Sequence, residues 1–283
     1  MSACGTDFPA LGIHSGITNV RYHADRTCVS KSWIDKAAKS PLHLRHYLDA
    51  PPIEPIPAMV LGSLTHTRTL EPDKTFLEFA VAPKVDRRTK AGKAEHAEFL
   101  AISEGKTVVT EEQFHLASAM ARSVKSHPVA RGLLTNGIAE SSVVWHDKLS
   151  GLLCKCRPDY MHATDTALGT TVIDLKTTKD ASPRAFAKAI ANFRYHVQSA
   201  FYLDGVSAAT GVDMDAFLFV AVENEPPHAV AVYAADDMMV EIGRDEYRRD
   251  LAVIAECQAS GQWPGYADEI TELSLPAWAA STY

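Results

Sequence analysis

Two textures divide the chain near Ala139. Upstream, apolar positions recur at helical spacing. Trp33, Ile34, Ala37 and Ala38 follow Ser30-Lys31-Ser32, a cap for a helix beginning at Trp33. Ser40-Pro41 pairs a cap with a proline at the first helical position and opens a helix over Leu42 to Leu48. Asp49 to Pro57 holds four prolines and reads as a stiff connector. A helix from Met59 to Leu70 stops at Glu71-Pro72, because the residue before a proline is driven out of helical backbone. Further helices are expected over Ala91–Ser103, Glu111–His127 and, briefly, Pro128 to Gly132.

Downstream the pattern shortens towards period two. Glu140–Trp145, the turn Asp147–Gly151 and Leu152–Asp159 predict a β-hairpin, with Thr171–Lys176 as the next strand. Ser182-Pro183 opens one long helix to Leu203, closed near Gly205 and Gly211. Ala216–Glu223 and Ala229–Ala234 read as strands around Glu225-Pro226-Pro227, and Asp236 starts a last helix to Ser260. The tail from Asp268 to Tyr283 carries no pattern. The expected fold class is α/β, a mixed sheet with a helical crossing, preceded by a helical region.

At 283 residues and 46% apolar content the chain suffices for one large domain or a domain with a helical attachment. Its longest apolar run, Ala216–Val222, is far too short to cross a bilayer. Met1–Ile13 shows no basic flank and no apolar stretch, so a cytoplasmic location is expected. Cys4, Cys28, Cys154, Cys156 and Cys257 are odd in number and scattered, which argues against a disulfide framework. Cys154 and Cys156 flank Lys155 on a strand and read as small buried side chains. The net charge of −7 is unlike that of a nucleic-acid binder, but a polyanion requires only local positive surface. The densest basic stretch runs from Lys84 to Lys93 through Arg87, Arg88 and Lys90, against Asp86; residues alone leave it as either solvated loop or DNA contact.

The chemistry concentrates in Cys156-Arg157-Pro158-Asp159-Tyr160 and Thr171-Val172-Ile173-Asp174-Leu175-Lys176-Thr177-Thr178. On a strand, Asp174 and Lys176 point to the same face. A hard oxygen ligand beside an ammonium suits water attack on a phosphodiester, although the tripeptide alone reads first as an ion pair on a solvated strand. Gln198 and Tyr202 are four apart and share a helix face, compatible with a site or with core packing. Gly105-Lys106-Thr107 matches the end of a P-loop, but Leu100 stands where the earlier glycine is required. No Gly-x-Ser-x-Gly, His-Glu-x-x-His or Cys-x-x-Cys occurs, and zinc is not expected.

Several separate stretches carry a family resemblance. They are Ser40-Pro41 through Asp49, Gly62-Ser63-Leu64-Thr65-His66, Arg87 to Lys93, Arg157-Pro158-Asp159, Asp174 to Thr178, and Tyr195-His196-Val197-Gln198 through Gly205. From about Val29 to about Tyr266 the chain resembles the PD-(D/E)XK nuclease superfamily, and within it the RecE-type exonuclease (exonuclease VIII) nuclease domain. The resemblance implies a PD-(D/E)XK core over 136–266, a helical region over 29–135, an extension over 1–28 and a tail over 267–283. It implies Asp159 and Asp174 as magnesium ligands, manganese substituting, with the Leu175 carbonyl as a third oxygen and His66 near the metal. Glu140 would steady a metal ligand or bind a second metal, Lys176 would act on the attacking water or the phosphate, and Gln198 and Tyr202 would face the site. It tips Arg87, Arg88, Lys90 and Lys93 towards DNA contact. Cys257 alone downstream leaves no iron–sulfur ligand set of the kind some such nucleases hold. The implied activity is 5′ to 3′ digestion of double-stranded DNA ends by a homo-oligomeric ring, a tetramer, leaving 3′ tails for a single-strand annealing protein. Rivals are a single-strand-specific or endonucleolytic nuclease of the same fold, and a DNA-binding subunit without catalysis.

Overall fold

The computed structural model describes residues 10–51, 54–163 and 169–275, and within these the expected mixed α/β architecture is present. Residues 52–53 of the proline-rich connector, the middle of the polar spacer after Asp159 and the last eight residues of the tail lie outside the described residues, as does Cys4.

The elements run in chain order as β1 (Gly12–His14), α1 (Asn19–Ala24), α2 (Lys31–Lys39), α3 (Pro41–Asp49), α4 (Pro57–Leu70), α5 (Thr75–Glu78), β2 (Phe79–Val81), α6 (Lys90–Ile102), β3 (Thr107–Val109), α7 (Glu111–Ser126) and α8 (Pro128–Leu133). The second part holds β4 (Ile138–Ala139), β5 (Ser142–His146), β6 (Leu153–Cys156), β7 (Tyr160–His162), β8 (Thr171–Thr178), α9 (Pro183–Asn192), α10 (Tyr195–Thr210), β9 (Ala216–Glu223), β10 (Val230–Ala234) and α11 (Asp237–Ser260). The caps explain several boundaries. Ser40 accepts from His43 N, Thr89 from Gly92 N and Asp236 from Met239 N, while Thr110 and Gln113 form a reciprocal capping box.

The central sheet is ordered β10-β9-β8-β7-β4, with β8 and β9 parallel and the other pairs antiparallel. Period-two alternation divides its faces. Val172, Phe217, Phe219 and Ala221 pack against Phe186 of α9 and Val197, Ala200 and Phe201 of α10. Ile173, Leu175, Val220 and Val222 pack on the other face against Met120 and Val124 of α7 and Leu133 of α8. Asp174 and Lys176 therefore share the face covered by α9 and α10, because that connection carries the chain between two parallel strands.

The hairpin departs from expectation in an informative way. Instead of two uninterrupted strands, each arm is split between two sheets: β4 and β7 belong to the central sheet, whereas β5 and β6 join β1 in a three-stranded one. The pairing offset nevertheless persists. Ala139 faces Tyr160 on one side of the break and Val143 faces Cys156 on the other, the same alignment carried through. Pro158 lacks an N–H and falls inside the break, and Glu140 takes a left-handed φ of 46°. The ladder cannot run straight here, so the ribbon turns a corner.

A second expectation is overturned. The single helix over 183–203 is two helices, with Asn192 ending α9 and Tyr195 starting α10, which then runs on to Thr210. Arg194 adopts φ 53° between them, held by Asp35 of α2 at 3.3 Å and by Glu246 and Asp250 of α11 at 2.9 and 2.7 Å. Tertiary ion pairs override local helical pattern at that point. Short elements β1, β2, β3, β7 and α1 had no adequate signal in sequence. Cys154 and Cys156 are buried free thiols, and no described helix is long and apolar enough to cross a membrane.

The turn of the hairpin is tied to α11 through one carboxylate. Asp147 Oδ2 accepts from Ser150 N at 2.8 Å and Ser150 Oγ at 2.7 Å, and Oδ1 accepts from Arg248 Nη1. Burial would raise this acid, but the Ser150 donors and Arg248 outweigh it and hold it below the usual carboxylate value. Asp147→Asn should therefore destabilise the fold at pH 7 by about 1.5–3 kcal/mol. The stabilisation is present above the unfolded carboxylate pKa and lost as pH falls through the lower folded value, so wild type and variant should converge in strong acid. Urea unfolding across pH 2–7 (roughly the range bracketing that titration) measures the convergence.

Candidate active site

The two alignments that define the corner also assemble the acids. Because Ala139 pairs with Tyr160, the next position outward sets Glu140 opposite Asp159, and Glu140 N donates to Asp159 O at 3.0 Å. Because Tyr160 pairs with Ile173, the same step sets Asp159 opposite Asp174. Glu140, just past the end of β4, and Asp159, just before β7, thus fall in line with Asp174 of β8.

From α4, His66 reaches over the end of that row. Its Nδ1 lies 3.4 Å from Asp159 Oδ1 and 3.8 Å from Glu140 Oε1. One ligand atom from each of His66, Glu140 and Asp159 falls within 4.8 Å of the others. The second oxygen of Asp159 accepts from Leu175 N at 2.6 Å. The Leu175 N–H therefore holds Asp159 in place.

Asp174 is held from the helical side. Its Oδ1 accepts from Gln198 Nε2 at 2.6 Å, and its Oδ2 stands 2.5 Å from Lys176 Nζ. Lys176 also donates to Gln198 Oε1 at 3.1 Å and lies 4.5 Å above the centre of the Tyr195 ring. A glutamine suits this position because one amide satisfies an acceptor and a donor at once. Asp174 is only 1% exposed, and burial together with the Asp159 charge lifts its carboxyl to about 6 despite Lys176. Burial and Asp159 likewise raise Glu140. Burial would also raise Asp159, but His66, Lys176 and the Leu175 amide bring it below its ordinary value. Burial opposes charge on His66 and Lys176, yet Asp159 and Glu140 hold the imidazolium and Asp174 and Asp159 hold the ammonium.

The donor set fits a divalent cation. Buried carboxylates one residue row apart repel one another unless positive charge lies among them. Asp174 Oδ2 is buried, with the Lys176 ammonium as its ion-pair partner. His66, Glu140 and Asp159 present one face of oxygen and nitrogen donors; Asp174 stands beside them, engaged by Lys176 and Gln198, and is not within that close group.

Tyr202 is one turn beyond Gln198 and packs in the main core, with no hydrogen bond to the row. Arg87, Arg88, Lys90 and Lys93 lie on the segment leading into α6 and its first turn, exposed and unconnected to the carboxylates. Arg88 pairs with Asp86 at 3.1 Å, and Lys84 with Glu111 and Glu112 at 2.9 and 3.2 Å. That shared acidity reduces the positive charge the stretch offers. Tyr195 was not anticipated at the site, although its spacing of three from Gln198 put it on the same helix face.

Residues 30–275 match the family described as a PDDEXK-like domain of unknown function (DUF3799). No curated protein matches the sequence. Among solved structures, a provisionally assigned exonuclease from Eubacterium rectale superposes with a TM-score of 0.57 at 13% identity, covering 95% of this chain and 99% of that one. An alkaline exonuclease from Laribacter hongkongensis aligns at 17% identity over 71% of this chain and 96% of its own, with a TM-score of 0.28. The first overlay supports the fold; the second is too loose to bear on it.

If the His66–Glu140–Asp159 group takes a divalent ion, magnesium or manganese should raise the melting temperature in a saturable way. Glu140→Gln should weaken the apparent affinity by roughly 10–100-fold while the metal-free protein melts within a few degrees of wild type. Calorimetric titration and thermal scans check both outcomes.

Proposed function

Because the chain belongs to the PDDEXK-like family (DUF3799), which matches it over residues 30–275, we propose that it is a metal-dependent DNA exonuclease of the RecE type. On this reading it digests double-stranded DNA ends 5′ to 3′ and leaves 3′ tails for a single-strand annealing protein. The observation that carries the proposal is the row Glu140–Asp159–Asp174 with Lys176 and His66 beside it.

His66, Glu140 and Asp159, with Asp174 and the Leu175 carbonyl completing the set, would hold magnesium, with manganese able to substitute. Such an ion supplies Lewis-acid polarisation of a phosphoryl oxygen and an activated water at neutral pH. The chain's own groups do the rest. Lys176 Nζ, paired with Asp174, would donate to a phosphate oxygen or help orient the attacking water. Gln198 fixes both Asp174 and Lys176, which aligns the ammonium with the carboxylate row. The cation–π contact with Tyr195 limits where the lysine can swing.

Asp174→Ala and Lys176→Ala should each lower cleavage by at least ~10²–10³ while leaving circular dichroism unchanged. His66→Ala should also cut activity strongly. Magnesium or manganese should support cleavage, calcium should permit binding with little turnover, and excess chelator should stop the reaction. An end-labelled linear duplex beside circular DNA provides the assay. Cutting of the circle would indicate an endonuclease, and binding without any cutting would indicate a DNA-binding subunit.

The proposal extends to assembly. A chain of net charge −7 can retain a polyanion if its positive surface lines a closed channel. We expect a cyclic homo-oligomer, a tetramer, with contacts from the helical residues before Ala139. Neutralising Arg87, Arg88, Lys90 and Lys93 should flatten the salt dependence of binding by roughly 0.9 per lost phosphate contact in the log–log slope. Light scattering at micromolar protein should give the tetramer mass; a monomer with distributive digestion would remove the ring and leave the nuclease reading intact.

A further inference from the structure

The turn between α9 and α10 displays an aromatic ring that the fold does not need for its core. Phe186, Phe201, Phe217 and Phe219 are buried, whereas Phe193 is 61% exposed. An exposed phenylalanine on a loose loop would carry no meaning, but this turn is held on every side. Phe193 N donates to Ala189 O at 2.9 Å, and its carbonyl accepts from Lys31 Nζ at 3.2 Å. The next residue, Arg194, is the left-handed position anchored to Asp35, Glu246 and Asp250. Left-handed backbone disfavours a residue with a Cβ, so these ion pairs impose the turn against local preference.

The ring that this turn presents is aligned with the site. Phe193 stacks on Tyr195 with centroids 5.5 Å apart and planes inclined by 27°. Lys176 Nζ lies 4.5 Å from the centroid of the same Tyr195. A continuous path of Lys176, Tyr195 and Phe193 therefore leads from the ammonium beside the carboxylate row to solvent.

We propose that Phe193, backed by Tyr195, is a stacking subsite for a nucleobase of the strand being cut. The inference rests on the nuclease reading and adds to it a contact with the base. A phosphate at Lys176 carries its neighbouring nucleotides along the path of the two rings. A flat apolar surface there accepts any base, since every base offers a π-face, so the subsite is sequence-tolerant. Lys31, paired with Asp35 at 2.6 Å, donates to the Phe193 carbonyl and so fixes the ring's position without offering free charge. A digesting enzyme gains from such a platform because it holds a frayed end without reading sequence.

The test compares Phe193→Ala, Phe193→Leu and Phe193→Trp with wild type, using a short duplex that carries 2-aminopurine beside its recessed 5′ end. Cleavage is followed in magnesium and binding in calcium. Base–aromatic stacking is worth enough that Phe193→Ala should raise KM by roughly tenfold, with kcat within about twofold. Phe193→Leu should behave like Phe193→Ala, and Phe193→Trp should restore KM. The 2-aminopurine emission should be quenched on binding to wild type and to Phe193→Trp alone, while all four proteins melt together because the ring is exposed. Unchanged KM and quenching in Phe193→Ala would overturn the subsite, as would a fall in kcat with KM preserved. Wild-type protein that quenches the probe but cuts no DNA would remove the nuclease reading and keep the subsite; failure of wild type to bind the probe would remove both.

Discussion

Three carboxylates in one row repel one another, and the surrounding structure is organised to contain that repulsion. At an effective dielectric near 20, neighbouring unit charges about 4 Å apart cost roughly 4 kcal/mol per pair. Asp174 responds by resisting ionisation, and Asp159 by drawing His66, Lys176 and the Leu175 amide to itself. The positive groups are supplied by elements far apart in sequence, α4 and β8, so the charges can be balanced only once the helical region has closed on the sheet. Glu140 and Asp174 both remain raised, by burial first and by the Asp159 charge after it.

Containing the charges also constrains the helical crossing. An unbroken helix from Pro183 would put different side chains over β8. The left-handed Arg194 costs on the order of 1–2 kcal/mol in backbone preference, against which its three partially buried carboxylate partners act together. The re-aimed α10 then delivers Tyr195 and Gln198 to Lys176 and Asp174. Stability at the α2–α10–α11 junction and geometry at the carboxylate row are in this way the same structural decision.

Much of this was legible in the chain because it is local. Caps and prolines marked most helices, and Asp174-x-Lys176 had to share a sheet face by alternation alone. Family-like stretches brought in His66 and Glu140, which neither spacing nor periodicity would have joined to Asp159. What escaped was non-local. The break at Arg194 depends on acids 52 to 159 residues away. The partition of the hairpin between two sheets depends on a proline whose missing donor matters only opposite a particular partner. Tyr195 was overlooked although its spacing from Gln198 was visible, because an aromatic at helical spacing reads first as core. The two- and three-residue strands were too short for any pattern to reach significance.

The preserved alignment through the corner also governs how this sequence can drift. Residues added to or removed from the Asp147–Gly151 turn lengthen or shorten the tip without altering which residues face each other below it. A single residue inserted between Glu140 and Ser142, or deleted between Cys156 and Asp159, would shift one arm against the other and send a carboxylate to the opposite face. A change of length at the tip would cost the Asp147–Ser150–Arg248 tether and leave the carboxylates aligned, whereas a change at the corner would keep the tether and misplace a carboxylate.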